Sequence, residues 1–386
     1  MSRAAAVPLV FGAAVVVAAE FVVIGLLPAL SAELALTPAQ AGWLITLFAL
    51  ASALFGPPLV AASARWPAAA VLAASLLPFA ANLLLLAFPG FALALVLRVL
   101  QGAALPLFMS VASVRLGAAF GPGRGVALLY AGVTFGGTLA PPAGSFLAEW
   151  MGWRGPMALI GLLALPTALG CLAYGGRDRT DAVQSPWRLL ARPAIQTHLA
   201  LSTLTFAAMF SGFSFIALLL AHAGLGGERI AGALFCFGLA GLGGNWLAGR
   251  FAGRALPGTA AAALAVAAVT ALIAATPGGT LLAIAIAGWG AAHAAGFVFC
   301  QIRLMAAAPE APGFASSLNI AAANIGIALG SLAGGRAIEL GGVRALWGIA
   351  FAFALLAAAT ALLCRRRNVT KQSLLRHRSE TGIAPE

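Results

Sequence analysis

Apolar segments succeed one another along almost the whole of this 386-residue chain, each close to the ~20 residues that a helix needs to cross the hydrocarbon core of a bilayer. Cut at charges, prolines and glycines, they run near residues 7–30, 41–63, 68–88, 91–117, 125–148 and 154–174, and then 194–220, 229–251, 258–276, 280–308, 313–337 and 341–363. No water is present in that core to satisfy backbone N–H and C=O groups, so only helices or a closed barrel can span it. The runs lack the apolar/polar alternation of barrel strands, which selects helices. A soluble domain would be roughly a quarter charged; this chain is 8% charged and 62% hydrophobic, so little remains for a water-facing surface. The expectation is an all-α integral membrane protein of twelve transmembrane helices.

The first run is too long for a secretory signal, follows a single Arg3 and carries Glu20 where such a signal would be uninterrupted, so it reads as span 1. Cys171, Cys236, Cys300 and Cys364 lie singly in or at the end of apolar runs, as small hydrophobes. Neither they nor the histidines fall at ligand spacing, so no metal and no cofactor is expected.

Orientation follows from the basic residues. With the N-terminus inside, the inside segments hold sixteen Arg or Lys residues, from Arg3 through Arg65, Arg115 and Arg124 to the tail at Arg365–Arg367. The outside loops hold four: Arg154, Arg229, Arg336 and Arg344. Both termini are thus expected in the cytoplasm and the chain in the cytoplasmic membrane. The net charge of +12 is mostly topology. It calls for no nucleic-acid partner, although membrane lipids suit the basic tail.

The one long polar interruption divides the spans six and six. The expected units are an N-terminal bundle at 1–175, a cytoplasmic linker at 176–193, a C-terminal bundle at 194–363 and a basic tail at 364–386. A repeat supports the division: Glu149-x4-Arg154 after span 5 recurs as Glu339-x4-Arg344 after span 11. Two six-helix units in the same orientation form the parallel-repeat plan in which substrate binds between the halves and access alternates by rocking.

Ionisable residues within the spans are few, and each costs at least ~2.5 kcal/mol at the bilayer centre. Glu20 is the one deeply placed carboxylate. Removed from bulk water, such a group is suited to take up and release a proton, so Glu20 is the candidate proton site. Arg98, a permanent cation, either pairs with Glu20 or pins helices together. His293 is the other titratable group at mid-depth and the next candidate for proton coupling. Gln101, Asn245, Gln301, Asn319 and Asn324 are candidates for substrate contact and serve equally as links between helices. Gly136 and Gly144 in span 5, and Gly326, Gly330 and Gly334 in span 11, mark close packing. Pro141 and Pro142 are expected to kink span 5. There is no G-x-x-x-x-G-K-[ST] loop, no H-E-x-x-H and no Ser/His/Asp order, so neither ATP hydrolysis nor another enzymatic activity is expected.

Several of these stretches look like one family. Ala19–Pro28 (AEFVVIGLLP), Gln40–Leu50 (QAGWLITLFAL), Arg98-x2-Gln101-Gly102, Gly136-x3-Ala140-Pro141-x2-Gly144-Ser145 and Ser316–Gly330 resemble the major facilitator superfamily. Within it they resemble the twelve-span drug:proton antiporter branch that contains the sugar-efflux and arabinose-efflux-like permeases. The resemblance implies two six-helix bundles, a role for Arg98 in proton coupling, and export of a small drug- or sugar-like compound in exchange for protons by a monomer. Where the family carries a Gly/Asp/Arg gating signature between spans 2 and 3, this chain has AASARWPAAA, with Arg65 and no Asp. The alternatives are a proton symporter or facilitator for uptake, or a non-transporting sensor or assembly factor on the same scaffold.

Overall fold

The computed structural model describes residues 3–36, 38–174, 186–225, 227–275 and 279–381. Most of the expected linker and the end of the tail lie outside them. Twelve long helical segments cover the described residues: α1 (Arg3–Glu33), α2 (Pro38–Ser63), α3 (Ala68–Ala80), α4 (Phe91–Phe120), α5 (Pro122–Met151) and α6 (Arg154–Tyr174). The second set is α7 (Pro193–Phe213), α8 (Gly227–Arg250), α9 (Ala255–Ala275), α10 (Thr280–Ala307), α11 (Pro312–Gly341) and α12 (Leu346–Thr381). Among the described residues eleven are long and apolar enough to cross a membrane. The twelfth is α7, whose Gln196, Thr197, His198, Ser202, Thr203, Thr205 and Ser211 lower its apolarity.

Two of the spans are interrupted along their length among the described residues. α3 tightens into a 3-10 turn, Ala81–Leu83, before finishing in the short helix Leu84–Ala87. The tightening falls just beyond Pro78, where the missing N–H interrupts the helical ladder. α7 breaks at Ser214 and Phe215 and resumes in the short helix Ile216–His222. By contrast α5 runs unbroken through Pro141 and Pro142.

The two halves are built by the same contacts. α5 and α11 each begin with Pro-Gly and run for 30 residues. Each ends at a glycine of positive φ, Gly152 at 64° and Gly342 at 72°, a backbone conformation that glycine adopts without strain. Along α5, a Cβ added to Gly132 or Gly136 would lie 2.2 or 2.3 Å from the carbonyl oxygen of Val10 or Ala14 in α1. Along α11, a Cβ at Gly326, Gly330 or Gly334 would lie 2.4 to 2.5 Å from the oxygen of Thr203, Ala207 or Ser211 in α7. Glycine also lets α4 approach α2, with Gly102 on Phe48, and α10 approach α8, with Gly290 on Phe237. In lipid, where apolar surface gains little from leaving the solvent, such close approach is what associates helices. The glycine faces of α5 and α11 therefore lie inside their own halves.

Contact between the halves involves α5 with α8 and α10, and α2 and α4 with α11. It is drawn toward the face on which α1 begins. There Gly123 meets Gly249 and Ala252, and Ala248, Ala255, Val298, Ile302 and Ile320 join the buried core of the N-terminal half.

Gly330→Leu places several atoms where the Ala207 carbonyl stands and should lower the melting temperature of the purified protein by the equivalent of about 1–3 kcal/mol. Gly348→Leu, with nothing within 4 Å of an added Cβ, should leave it unchanged. Equal melting temperatures for the two variants would show that the glycine face is not a packing contact.

Candidate functional site

Along one side of α1, Leu9, Ala13 and Val16 are fully buried, Glu20 is half-buried and Ile24 is 47% exposed. These residues recur at helical spacing, so one face of α1 passes from closely packed to open as it leaves the joined end of the molecule. The opposite side of α1, with Phe11, Ala18 and Val22, lines an apolar groove shared with α5 and α6. The opening on the Glu20 side is thus separate from that outer groove. α7 follows the same course: Phe206 and Phe210 are buried and Phe213 is half-buried. Glu20 lies where this face of α1 begins to open, and its carboxylate has no hydrogen bond or ion pair with a described residue.

Arg98 lies beside it in α4 and is fully buried. Its guanidinium donates to three backbone carbonyls: Nε to Leu44 at 2.6 Å, Nη1 to Ala19 at 2.7 Å and Nη2 to Glu20 at 3.2 Å. Its central carbon sits 4.2 Å over the Phe48 ring, a favourable place for a cation. Of the two arrangements open from the sequence, the structure shows the one in which Arg98 ties α1 and α2 to α4. It donates to the Glu20 backbone and not to its carboxylate.

Gln101, one turn further along α4, turns away from the central space. It donates to the Pro78 carbonyl at 3.2 Å and to Asn82 Oδ1 at 2.7 Å, both in the region where α3 tightens.

The other amides join elements at or near the closed face. Asn245 of α8 donates to the Tyr130 carbonyl and to Thr134 Oγ1 of α5, both at 2.9 Å. Asn324 of α11 reaches Ser52 of α2 at 3.3 Å. Gln301 of α10 donates to Ser316 and, at 3.4 Å, to Ser113 of α4. Asn319 donates to Gln301 Oε1 at 2.9 Å and accepts from Ser202 at 2.8 Å. That network ends on Arg303, whose guanidinium meets Ser202 at 2.7 Å, the His198 carbonyl at 3.0 Å, His198 Nδ1 at 2.6 Å and Thr259 at 3.3 Å. Two of the polar side chains of α7, His198 and Ser202, thus have a physical reason: they solvate a buried cation from within the protein. Arg303 is conspicuous in the sequence as an ionisable residue within a span but nearer a membrane face, and its partners on α7 and α9 have no local signal.

His293 lies in α10 and is 6% exposed. It is surrounded by Phe213, Phe210, Phe237 and Phe297, with ring centroids 4.6 to 5.5 Å from its own. Its Nδ1 is buried without a hydrogen-bond partner. Phe297 also faces Tyr130 of the other half, at 6.1 Å. Among the described residues no group of His, Cys, Asp and Glu could hold a metal ion.

Two consequences are testable. Arg98→Lys keeps the charge but loses the planar fork, leaving carbonyls unmatched at about 1–3 kcal/mol each. It should lower the melting temperature clearly; a wild-type value would show that charge alone suffices. Asn245→Leu removes a bond between halves worth about 1 kcal/mol net. It should speed maleimide labelling of a cysteine placed at buried Val126 roughly fivefold, in protein whose exposed Cys236 is replaced by Ser. An unchanged rate would show that Asn245 does not hold this face shut.

Comparison with known proteins agrees with the architecture. The sequence profile of the Major Facilitator Superfamily matches residues 9–318. A chloramphenicol resistance protein of Streptomyces lividans is 32% identical over 365 residues, covering 88% of this chain and 91% of that protein. The inner membrane transport protein YdhP of Escherichia coli O157:H7 is 30% identical over 338 residues, covering 83% and 85%. The crystal structure of the human organic anion transporter MFSD10 superposes with a TM-score of 0.74 at 17% identity, covering 93% of this chain and 99% of that one. With twelve helical segments in two repeated halves and a matching profile over most of its length, the chain belongs to the major facilitator superfamily, a family of membrane transporters.

Proposed function

We propose that this transporter exports a small organic compound across the cytoplasmic membrane in exchange for protons, with both termini and the 176–193 linker in the cytoplasm. The observation that carries the reading is the Glu20 carboxylate, partly buried in the middle of a membrane span and without a hydrogen-bond or ion-pair partner among the described residues. A carboxylate buried in that way is costly unless something binds it, and a proton is the simplest ligand. With the halves joined on the face where α1 begins, this conformation is the one open to the outside. In it a proton reaches Glu20 from the external solution, and rocking of the halves would then expose the group to the cytoplasm.

Arg98 contributes position. Its bonds to the Ala19 and Glu20 carbonyls hold this part of α1 in place. An arginine stays protonated, so Arg98 serves the site without itself carrying the proton. The direction of transport is supported by the relative named for chloramphenicol resistance, since a transporter confers resistance by removing a compound from the cell.

Glu20→Gln keeps the shape and hydrogen-bonding capacity of the side chain but cannot ionise. In proteoliposomes it should retain exchange of labelled substrate at equal pH and lose accumulation driven by a pH difference. Accumulation by Glu20→Gln at the wild-type rate would remove Glu20 as the coupling group.

A further inference from the structure

Where the halves join, Gly123 at the start of α5 meets Gly249 and Ala252 at the turn from α8 to α9. A Cβ added to Gly123 would stand 2.6 Å from the Gly249 oxygen and 2.4 Å from the Ala252 Cβ. The residues that flank this contact are basic. Arg124 follows Gly123, Arg250 follows Gly249, and Arg254 lies just beyond Ala252. All three are exposed, and none of their guanidiniums has a hydrogen bond or an ion pair with a described residue. Their surroundings offer little to neutralise them. Among the turns that join spans within each half on this face, only that between α10 and α11 carries an acid, and this acid, Glu310, is bound to Arg192.

Joining this face costs electrostatic repulsion. It brings a cation of the N-terminal half beside two cations of the C-terminal half, and like charges across a contact oppose it unless an anion stands among them. What lies beneath the arginines narrows the kind of anion. Leu128 follows Arg124 by one turn of α5, and Trp246 and Leu247 precede Arg250 by one turn of α8, so each apolar side chain lies deeper in the membrane on the same side as an arginine. These side chains are exposed as well, Trp246 to 64%. Cations at the membrane surface with apolar groups one turn below repeat the order of a phospholipid, headgroup above acyl chains. A soluble phosphate would use only the upper part of this surface. An acidic protein segment would cover the arginines and not the apolar row within the membrane.

We propose that Arg124, Arg250 and Arg254 bind the phosphate of an anionic phospholipid across the seam between the halves, with its acyl chains on Leu128, Trp246 and Leu247, and that this lipid holds the face shut. Guanidinium forks match phosphate oxygens in geometry and charge. The lipid offsets the repulsion fully only while arginines of both halves share it, so its binding favours the joined conformation over one in which the halves part on this face. The charge of the surrounding lipid thereby biases the rocking of the halves. That the leaflet concerned is the cytoplasmic one rests on the orientation proposed above; the binding itself does not.

The test is maleimide labelling of a cysteine at buried Val126, in full-length protein whose Cys236 is replaced by Ser, at one pH and without substrate. The protein is reconstituted in vesicles of phosphatidylcholine alone or of equal parts phosphatidylcholine and phosphatidylglycerol, and the ratio of the two rates is read. Phosphatidylglycerol should slow labelling roughly fivefold. The triple variant Arg124→Gln, Arg250→Gln and Arg254→Gln should lose most of that slowing. Arg65→Gln, Arg188→Gln and Arg365→Gln together remove the same charge elsewhere on this side and should keep it. Glycerol phosphate added to phosphatidylcholine vesicles should not slow labelling. If the seam variant does not yield monodisperse protein, Arg250→Gln with Arg254→Gln decides. An unchanged rate in the parent protein, equal slowing in the seam variant, equal loss in both triple variants, or slowing by glycerol phosphate would overturn the assignment. None of these outcomes bears on whether Glu20→Gln loses pH-driven accumulation.

Discussion

The structure rests on carbonyl oxygens that neighbouring glycines allow to come close. α5 can lie on α1, and α11 on α7, because Gly136 and Gly330 leave room for the oxygens of Ala14 and Ala207. Inside a bilayer the hydrophobic effect does not press helices together, so packing at this range is what makes each half a unit. Between the units the contacts are of two kinds: close approach of small residues, as at Gly123 with Gly249 and Ala252, and hydrogen bonds, Asn245 on Tyr130 and Thr134, Asn324 on Ser52, and Gln301 on Ser113.

Buried charge is managed in the same economical way. Arg98 and Arg303 are both kept from lipid, and each is surrounded by oxygens and, for Arg303, a histidine nitrogen. Neither is neutralised by a carboxylate within the described residues. Arg98 is instead assigned to backbone carbonyls, which leaves the Glu20 carboxylate without an ion-pair partner among the described residues, as the proposed proton site requires.

Toward the two membrane faces, ordinary ion pairs serve as ties. Arg154 pairs with Glu33 where α1 and α6 meet, and Arg192 pairs with Glu310 beside the turn between α10 and α11. The Glu310 carboxyl is held below its usual range by its own backbone N–H, with Arg192 adding to the effect. The depressed value means that this tie contributes at neutral pH and is lost as pH falls through the folded-state value. Both members are substantially exposed, so its weight is small.

The sequence by itself determined the membrane, the helices, the duplication and the rarity of charge within the spans. Those follow from length, hydropathy and the recurrence of Glu149-x4-Arg154 as Glu339-x4-Arg344, all of which are properties of neighbours along the chain. The same local reading found Glu20, Arg98 and His293, because an ionisable residue in an apolar run is conspicuous wherever it points. It did not determine partners. Whether Arg98 faces the Glu20 carboxylate or its carbonyl depends on the rotation of α1 about its axis. Whether Gln101 lines the central space or binds Pro78 and Asn82 depends on where α3 tightens. That Gly330 sits inside a half while Asn324, on the same helix, reaches across to Ser52 depends on which side of α11 meets α7. Rotation, register and the choice of neighbour are set by packing between segments far apart in sequence, and only the tertiary structure decided them.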